Sequence, residues 1–306
     1  MTVEEYLNKS ISKVDGKTII ITGANSGIGF HTAEIIAKKG GHVVLACRSK
    51  EKAIEAIDRI KAVVKDANLE YVIFDQASFN SIDSFVDNIT TNYANFYALM
   101  LNAGILRPEK ETFTKEGFPL TVGTNFYGLH HLMERLYPLI QNTMYEKRII
   151  IEGSLVTRAA KYHGKKYDLI KTHSSTFHAY NISKIGVENL FAKYAQINKN
   201  PNLKFMLAEP GVCKTNIIHS FPSWIIKPAN GFLKSFMHSP EKGSLPSVHL
   251  ITEPHSNGDI LLPRGMFSIG GFPKKRRRMS KRTTRFASII NDAELIIKTN
   301  LDKKSA

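Results

Sequence analysis

From Lys17 to about Phe205, short β-rich apolar runs alternate with helix-length amphipathic stretches, and this alternation leaves few folds open. Strands that each hand over to a helix pair in parallel, because a parallel neighbour is reached only through a crossover, and the crossovers cover both faces of the sheet. Strands are read at TIIIT (18–22), HVVLAC (42–47), EYVIF (70–74), FYALMLN (96–102), RIIIE (148–152) and LKFMLA (203–208). Helices are expected to begin near Gly27, Lys50, Asn80, Pro119 and Thr176. The expected fold class is α/β, a doubly wound parallel sheet in a single domain spanning residues 1–272. After Pro210-Gly211 the rhythm changes to a Pro-, Phe- and Trp-bearing segment, 213–239, then a helix from Pro240 and a last strand in GDILLP (258–263). Residues 273–306 form a basic segment and a C-terminal helix. That helix carries Ile289, Ile290, Ala293, Ile296 and Ile297 at helical spacing and is expected to pack back on the domain.

Composition removes several classes. At 306 residues, 42% hydrophobic and 23% charged, the chain buries a real core and is neither disordered nor fibrous. Two cysteines, Cys47 and Cys213, make no disulfide framework and favour a reducing compartment, so a cytoplasmic location is expected. The polar, acid-bearing start MTVEEYLNKS is no signal-peptide core, and no run approaches the ~20 apolar residues of a membrane span.

Strand 18–22 runs directly into Thr22-Gly23-Ala24-Asn25-Ser26-Gly27-Ile28-Gly29 and then into a helical stretch. Glycines placed there let the chain turn sharply and bring backbone N–H groups against a pyrophosphate at the positive end of a helix. About 20 residues past such a loop an acid holds ribose hydroxyls, whereas an Arg suits a 2′-phosphate. Here the second strand ends in Cys47-Arg48-Ser49-Lys50, which favours NADP(H) over NAD(H). Farther on, Tyr180 and Lys184 stand one helical turn apart and share a face. A free phenol titrates near ~10, and a neighbouring ammonium favours its ionised form, so the pair suits acid–base work.

The order and spacing of these residues resemble the short-chain dehydrogenase/reductase family. Further residues carry the resemblance: Asp75 after the third strand, Asn102-Ala103-Gly104 ending the fourth, Asn125 in the next helix, Ser154, Tyr180-x-x-x-Lys184 and Pro210-Gly211. They cover roughly residues 17–215 and imply a Rossmann-type sheet. The resemblance implies that Ser154 donates a hydrogen bond to the substrate oxygen and Tyr180 transfers the proton. Lys184 would hold the nicotinamide ribose, and Asn125 would anchor a water leading from Lys184 to solvent. It also implies cofactor contacts at Gly23, Asn25, Ser26, Gly27, Ile28, Gly29, Arg48, Asp75, Asn102, Ala103, Gly104, Tyr180, Lys184, Pro210, Gly211 and Thr215. Where the family has Asp-Leu and Asn-Asn, this chain has Asp75-Gln76 and Leu101-Asn102. The gap of 26 residues from Ser154 to Tyr180, the Ala46-Cys47-Arg48 strand end and Gly153-Ser154 resemble the long-insert branch with retinol-dehydrogenase-like and protochlorophyllide-reductase-like members.

The implied activity is NADP(H)-dependent interconversion of a carbonyl and an alcohol. Two alternatives are reduction of a C=C bond on the same scaffold and a cofactor-binding scaffold or sensor with a basic interaction tail. The apolar side chains of 213–239 suggest a substrate lid and a small apolar substrate. Glu152 and Glu209 stand where apolar or small residues are usual; the readings are exposure at the pocket's edge, mutual contact, or contact with a basic substrate. His130, His131, His163, His173 and His178 make no spaced ligand set, so no metal is expected. Eight cations between Lys274 and Arg285 carry over half of the net charge of +15 with no acid among them. Without interleaved aromatic residues they offer no base-stacking platform, so nucleic acid is not the expected partner. An anionic membrane surface reached through 274–285 fits better, making the chain peripheral to membranes. A homo-oligomer stays open.

Overall fold

The computed structural model describes residues 1–106, 112–158, 169, 176–213, 238–265, 268, 270–276 and 287–305. Eight strands form one sheet in the order β3-β2-β1-β4-β5-β6-β7-β8. They are β1 (Thr18–Thr22), β2 (His42–Cys47), β3 (Leu69–Ile73), β4 (Ala98–Leu101), β5 (Lys147–Glu152), β6 (Leu203–Ala208), β7 (Ile260–Pro263) and β8 (Pro273–Arg276). The first seven run parallel, with Thr18 opposite His42 and Glu152 opposite Ala208, and β8 closes the sheet antiparallel to β7. The doubly wound sheet anticipated from the alternation is present. Because β1 lies between β2 and β4, the crossovers leaving it diverge and open a crevice at the strands' C-terminal ends.

The described helices are α1 (Val3–Ser10), α2 (Gly27–Lys38), α3 (Lys50–Val63), α4 (Phe79–Asn92), α5 (Leu120–Val122), α6 (Gly128–Ile140), α7 (Thr176–Ile197), α8 (Pro240–Thr252) and α9 (Ser288–Ser305). Strand side chains alternate between two cores, as a period of two requires. Ile20, Val44, Leu99, Ile149, Ile151 and Phe205 pack with α4, α6, α7 and α9. Ile19, Ile21, Val43, Leu45, Ile150 and Met206 pack with α1, α2, α3 and α8. As expected, the terminal helix docks, with Ile289 and Ala293 at zero exposure.

Two elements stand outside the sequence reading. Thr2 caps α1 through the Glu5 N–H at 3.1 Å while Glu5 reaches back to the Thr2 N–H at 2.9 Å, and Tyr6 and Leu7 are buried. The other is β8, which draws Lys274, Lys275 and Arg276 of the basic cluster into the sheet. Lys275 pairs with Asp259 at 2.7 Å and Arg276 with Glu209 at 3.2 Å, so acids distant in sequence offset charges that have none among their neighbours. A cationic edge also discourages pairing with a further strand. Arg277, Arg278, Lys281, Arg282 and Arg285 lie outside the described residues.

Candidate active site

The loop between β1 and α2 lines a cleft of about 540 Å³ at the crevice. Gly23 has φ +67°, a left-handed conformation that glycine adopts freely. Gly29 has no room for a side chain, since a Cβ would sit 2.6 Å from both the Gly23 carbonyl oxygen and Asn102 Nδ2. Asn102 joins the end of β4 to this loop, donating from Nδ2 to Thr22 O at 2.8 Å and to Gly23 O at 3.3 Å. The Thr22 hydroxyl accepts from the N–H groups of Asn102 and Ala103, both at 3.0 Å. Ser49, Ser78 and Ser239 close the N-termini of α3, α4 and α8 with their side chains, whereas Ser26 at the start of α2 makes no such bond. An open helix start, a loop packed too closely for a Cβ and the cleft beside them fit the pyrophosphate of a dinucleotide.

Of the expected cofactor contacts, Gly23, Asn25, Ser26, Gly27, Ile28, Arg48, Asp75, Asn102, Ala103 and Gly104 line this cleft. Gly29 packs beneath its floor, and Thr215 lies outside the described residues. Asp75 accepts from the Ala77 N–H at 3.0 Å, and Gln76 donates to Ala103 O and Thr124 O at 3.1 and 2.8 Å. Arg59, which the sequence reading passed over, also lines the cleft, its guanidinium 4.0 Å from the centre of the Phe30 ring. Its position on the exposed side of α3 carries no motif.

Asn125 sits in a π-helical turn, Gly123–Tyr127, between α5 and α6. Its side chain clamps residue 105, accepting from the Ile105 N–H at 2.7 Å and donating to the Ile105 carbonyl at 2.8 Å. It also donates to Ser183 Oγ at 3.1 Å, which in turn donates to the Tyr180 carbonyl at 2.8 Å. Asn125 is thus tied to the turn of α7 that carries Tyr180. Ser183 had no sequence signal beyond lying between Tyr180 and Lys184.

A second, smaller cavity of about 150 Å³ shares Ile28, Asn102 and Gly104 with the cleft. Ser154, Tyr180, Lys184, Pro210 and Gly211 line it together, although the tyrosine and lysine come from α7 and the others follow β5 and β6. Tyr180 and Lys184 are each 7% exposed, and Lys184 Nζ donates to the Glu152 main-chain carbonyl at 2.9 Å.

Glu152 and Glu209 are buried, which corrects the reading of exposure at the pocket's edge. Ser247 Oγ on α8 donates to Glu152 Oε2 at 2.7 Å, while Glu209 meets Arg276. Burial pushes the Glu152 carboxyl up to about 7, against the opposing effects of the Ser247 hydrogen bond and the Lys184 charge. Both cysteines are free and buried, and burial pushes Cys47 up to about 11 and Cys213 up to about 12, so neither is poised as a nucleophile.

Outside the two cavities described above, His130, Glu134 and Glu294 bring ligand-type atoms within 4.8 Å of one another, a grouping the sequence reading did not foresee. Lys193 lies among them, donating to Glu134 at 3.1 Å and Glu294 at 3.0 Å, and already supplies a cation.

Residues 17–225 match the short chain dehydrogenase family, and the chain belongs to that family, whose members are oxidoreductases that bind a nicotinamide cofactor. Retinol dehydrogenase 13 of Mus musculus is 30% identical over 255 residues, covering 79% of this chain and 73% of that one. Chloroplastic protochlorophyllide reductase of Cucumis sativus is 39% identical over 143 residues, 45% of this chain and 35% of that one. These two are the kinds of relative that the motifs suggested. Among solved structures, an uncharacterised protein from Mycobacterium paratuberculosis matches over 97% of each chain with a TM-score of 0.72 at 21% identity.

Proposed function

We propose that this oxidoreductase uses NADP(H) to interconvert a carbonyl and an alcohol on an apolar substrate, with Tyr180 as proton donor and acceptor. The observation that carries this reading is adjacency: Ser154, Tyr180 and Lys184 line one small cavity whose walls share Ile28, Asn102 and Gly104 with the glycine-loop cleft. A nicotinamide cofactor held by the glycine loop and Lys184 would supply or accept the hydride here. Ser154 Oγ orients the substrate oxygen, and the Tyr180 hydroxyl gives up or takes its proton. Lys184, one helical turn away on the same helix face, would hold the cofactor's ribose. Asn125 fixes the turn beneath Tyr180 through Ser183. Arg48, which lines the cleft, favours the 2′-phosphate of NADP(H).

The apolar substrate is supported by Ile217, Ile218, Phe221, Trp224, Ile225, Phe232 and Phe236 in the sequence of the lid 213–239, of which 214–237 lie outside the described residues. The likeness to retinol dehydrogenase 13 supports it too. No helix among the described residues is long and apolar enough to cross a membrane.

The test follows NADPH consumption against a panel of aldehydes and ketones. Tyr180→Phe should lower turnover by about 10²–10⁴-fold while NADPH binding, measured by fluorescence, stays near that of the parent. Near-normal turnover in Tyr180→Phe would refute the mechanism, and a panel without any turnover would move weight to the cofactor-binding scaffold.

A further inference from the structure

Glu152 ends β5 inside the smaller cavity, yet the proposed chemistry gives it no task. Among the described residues lining that cavity, Lys184 is the one cation and Glu152 the one carboxylate. Each is out of water, at 7% and 4% exposure. Lys184 Nζ is already anchored to the Glu152 main-chain carbonyl at 2.9 Å, and the Glu152 side chain is fixed from α8 by Ser247 at 2.7 Å. Glu152 Oε1 is enclosed and has no hydrogen-bond partner among the described residues. A buried carboxylate oxygen without a donor is costly, and a buried ammonium is costly without a counter-charge. The two side-chain charges form no direct ion pair, but they share one small cavity, and the Lys184 charge opposes the upward push of burial on the Glu152 carboxyl.

The neighbouring groups are committed elsewhere. Glu209 at the end of β6 faces Arg276 of β8. Cys213, which follows β6, donates to the Pro210 carbonyl at 3.2 Å and bridges to His238, and burial with the Glu152 charge keeps its thiol protonated. From α8 the contact is Ser247, which carries no charge, and from α7 the facing groups are Lys184 and the Tyr180 phenol.

We propose that Glu152 is a positioning residue for Lys184: its carboxylate supplies the counter-charge that holds the ammonium at the end of β5, and protonation of Glu152 leaves Lys184 held by the main-chain carbonyl alone. This rests on the role given to Lys184 above. Because burial places the Glu152 carboxyl at about 7, the counter-charge is present above neutral pH and lost below it. The low-pH parent and a Glu152→Gln variant then share one state.

Two measurements test this. In pH profiles of kcat over roughly pH 6–8, the parent should fall about tenfold toward acid, and Glu152→Gln should stay at that lower plateau throughout. Glu152→Asp should restore the step, and Ser247→Ala, which removes a bond favouring the carboxylate, should move it to higher pH. In the cofactor-free protein, the ¹³C carboxyl resonance of Glu152 should titrate near neutral pH, and Lys184→Met should move its midpoint upward. A step that persists in Glu152→Gln, or a Glu152 midpoint unmoved by Lys184→Met, would overturn the proposal. If Tyr180→Phe and Lys184→Met both turn over like the parent, the functional reading fails instead, while the carboxyl titration still decides whether the two charges are coupled.

Discussion

Arg48 is exposed where β2 ends and lines the glycine-loop cleft, and Arg59 lines the same cleft with its guanidinium on Phe30. The acid nearest in sequence, Glu51, accepts from Ser49 Oγ at 2.7 Å and is not among the residues lining the cleft. A 2′-phosphate placed there would meet positive charge, and a planar guanidinium is suited to bind it with two donors. NADPH should therefore bind at least about tenfold tighter than NADH, a difference of about 1.4 kcal/mol, and Arg48→Ala should erase most of that preference. Titration of both cofactors by fluorescence checks it; equal affinities in the parent would count against Arg48. Arg48 was legible because its place after the second strand has a known chemical meaning. Arg59 was not, since its approach to the cleft depends on how α3 packs.

Helix α9 shows what an element contributes beyond its own hydrogen bonds. Ile289, Ile290 and Ala293 join the core built by α4, α6 and α7, whereas Leu295 on the opposite side is 48% exposed. Helices of this length draw most of their stability from packing. Ile289→Ala should destabilise the protein by about 2–4 kcal/mol in urea unfolding, while Leu295→Ala should stay within about 0.5 kcal/mol. Equal, small effects would mean that α9 does not support the core. Spacing alone announced this apolar stripe, but not its docking site. The same holds for the π-helical turn at Asn125: motif order singled out the residue, and its clamp on residue 105 appeared only once the chain was folded.

The pH dependence of stability belongs to the entire molecule because buried groups of opposite sign compete. His31, His130, His249 and His255 are all held below the usual 6.5, chiefly by burial. The unfolded chain therefore binds more protons than the folded one as pH falls below that value, so their contribution to stability is present above it and lost toward acid. Glu152 acts in the other sense. Its folded carboxyl, raised to about 7, keeps a proton that the unfolded carboxyl has released, so its contribution falls as pH rises from 4.5 to 7. The two contributions oppose each other between roughly pH 5 and 7, and Glu152→Gln, which removes the one that falls with pH, should make Tm rise more steeply with pH than in the parent. Thermal melts of both proteins across this range check it; a Glu152→Gln curve parallel to the parent's would contradict the contribution of the Glu152 carboxyl.

Periodicity in the chain determined the elements and their layering, because side-chain alternation of two and of 3.6 residues is local and is written directly in the order of residues. The strands at 18–22, 42–47 and 203–208 and the helix starts at Gly27, Lys50 and Thr176 follow from it, and motif order pointed to the oxidoreductase chemistry. The sequence did not reveal that Glu152 and Glu209 are buried, that Ser247 and Arg276 answer them, or that part of a basic cluster becomes a strand. Glu152 and Ser247 are 95 residues apart, and Glu209 and Arg276 are 67 apart. A charge's surroundings are set by which distant segments meet it, and no local pattern records that meeting.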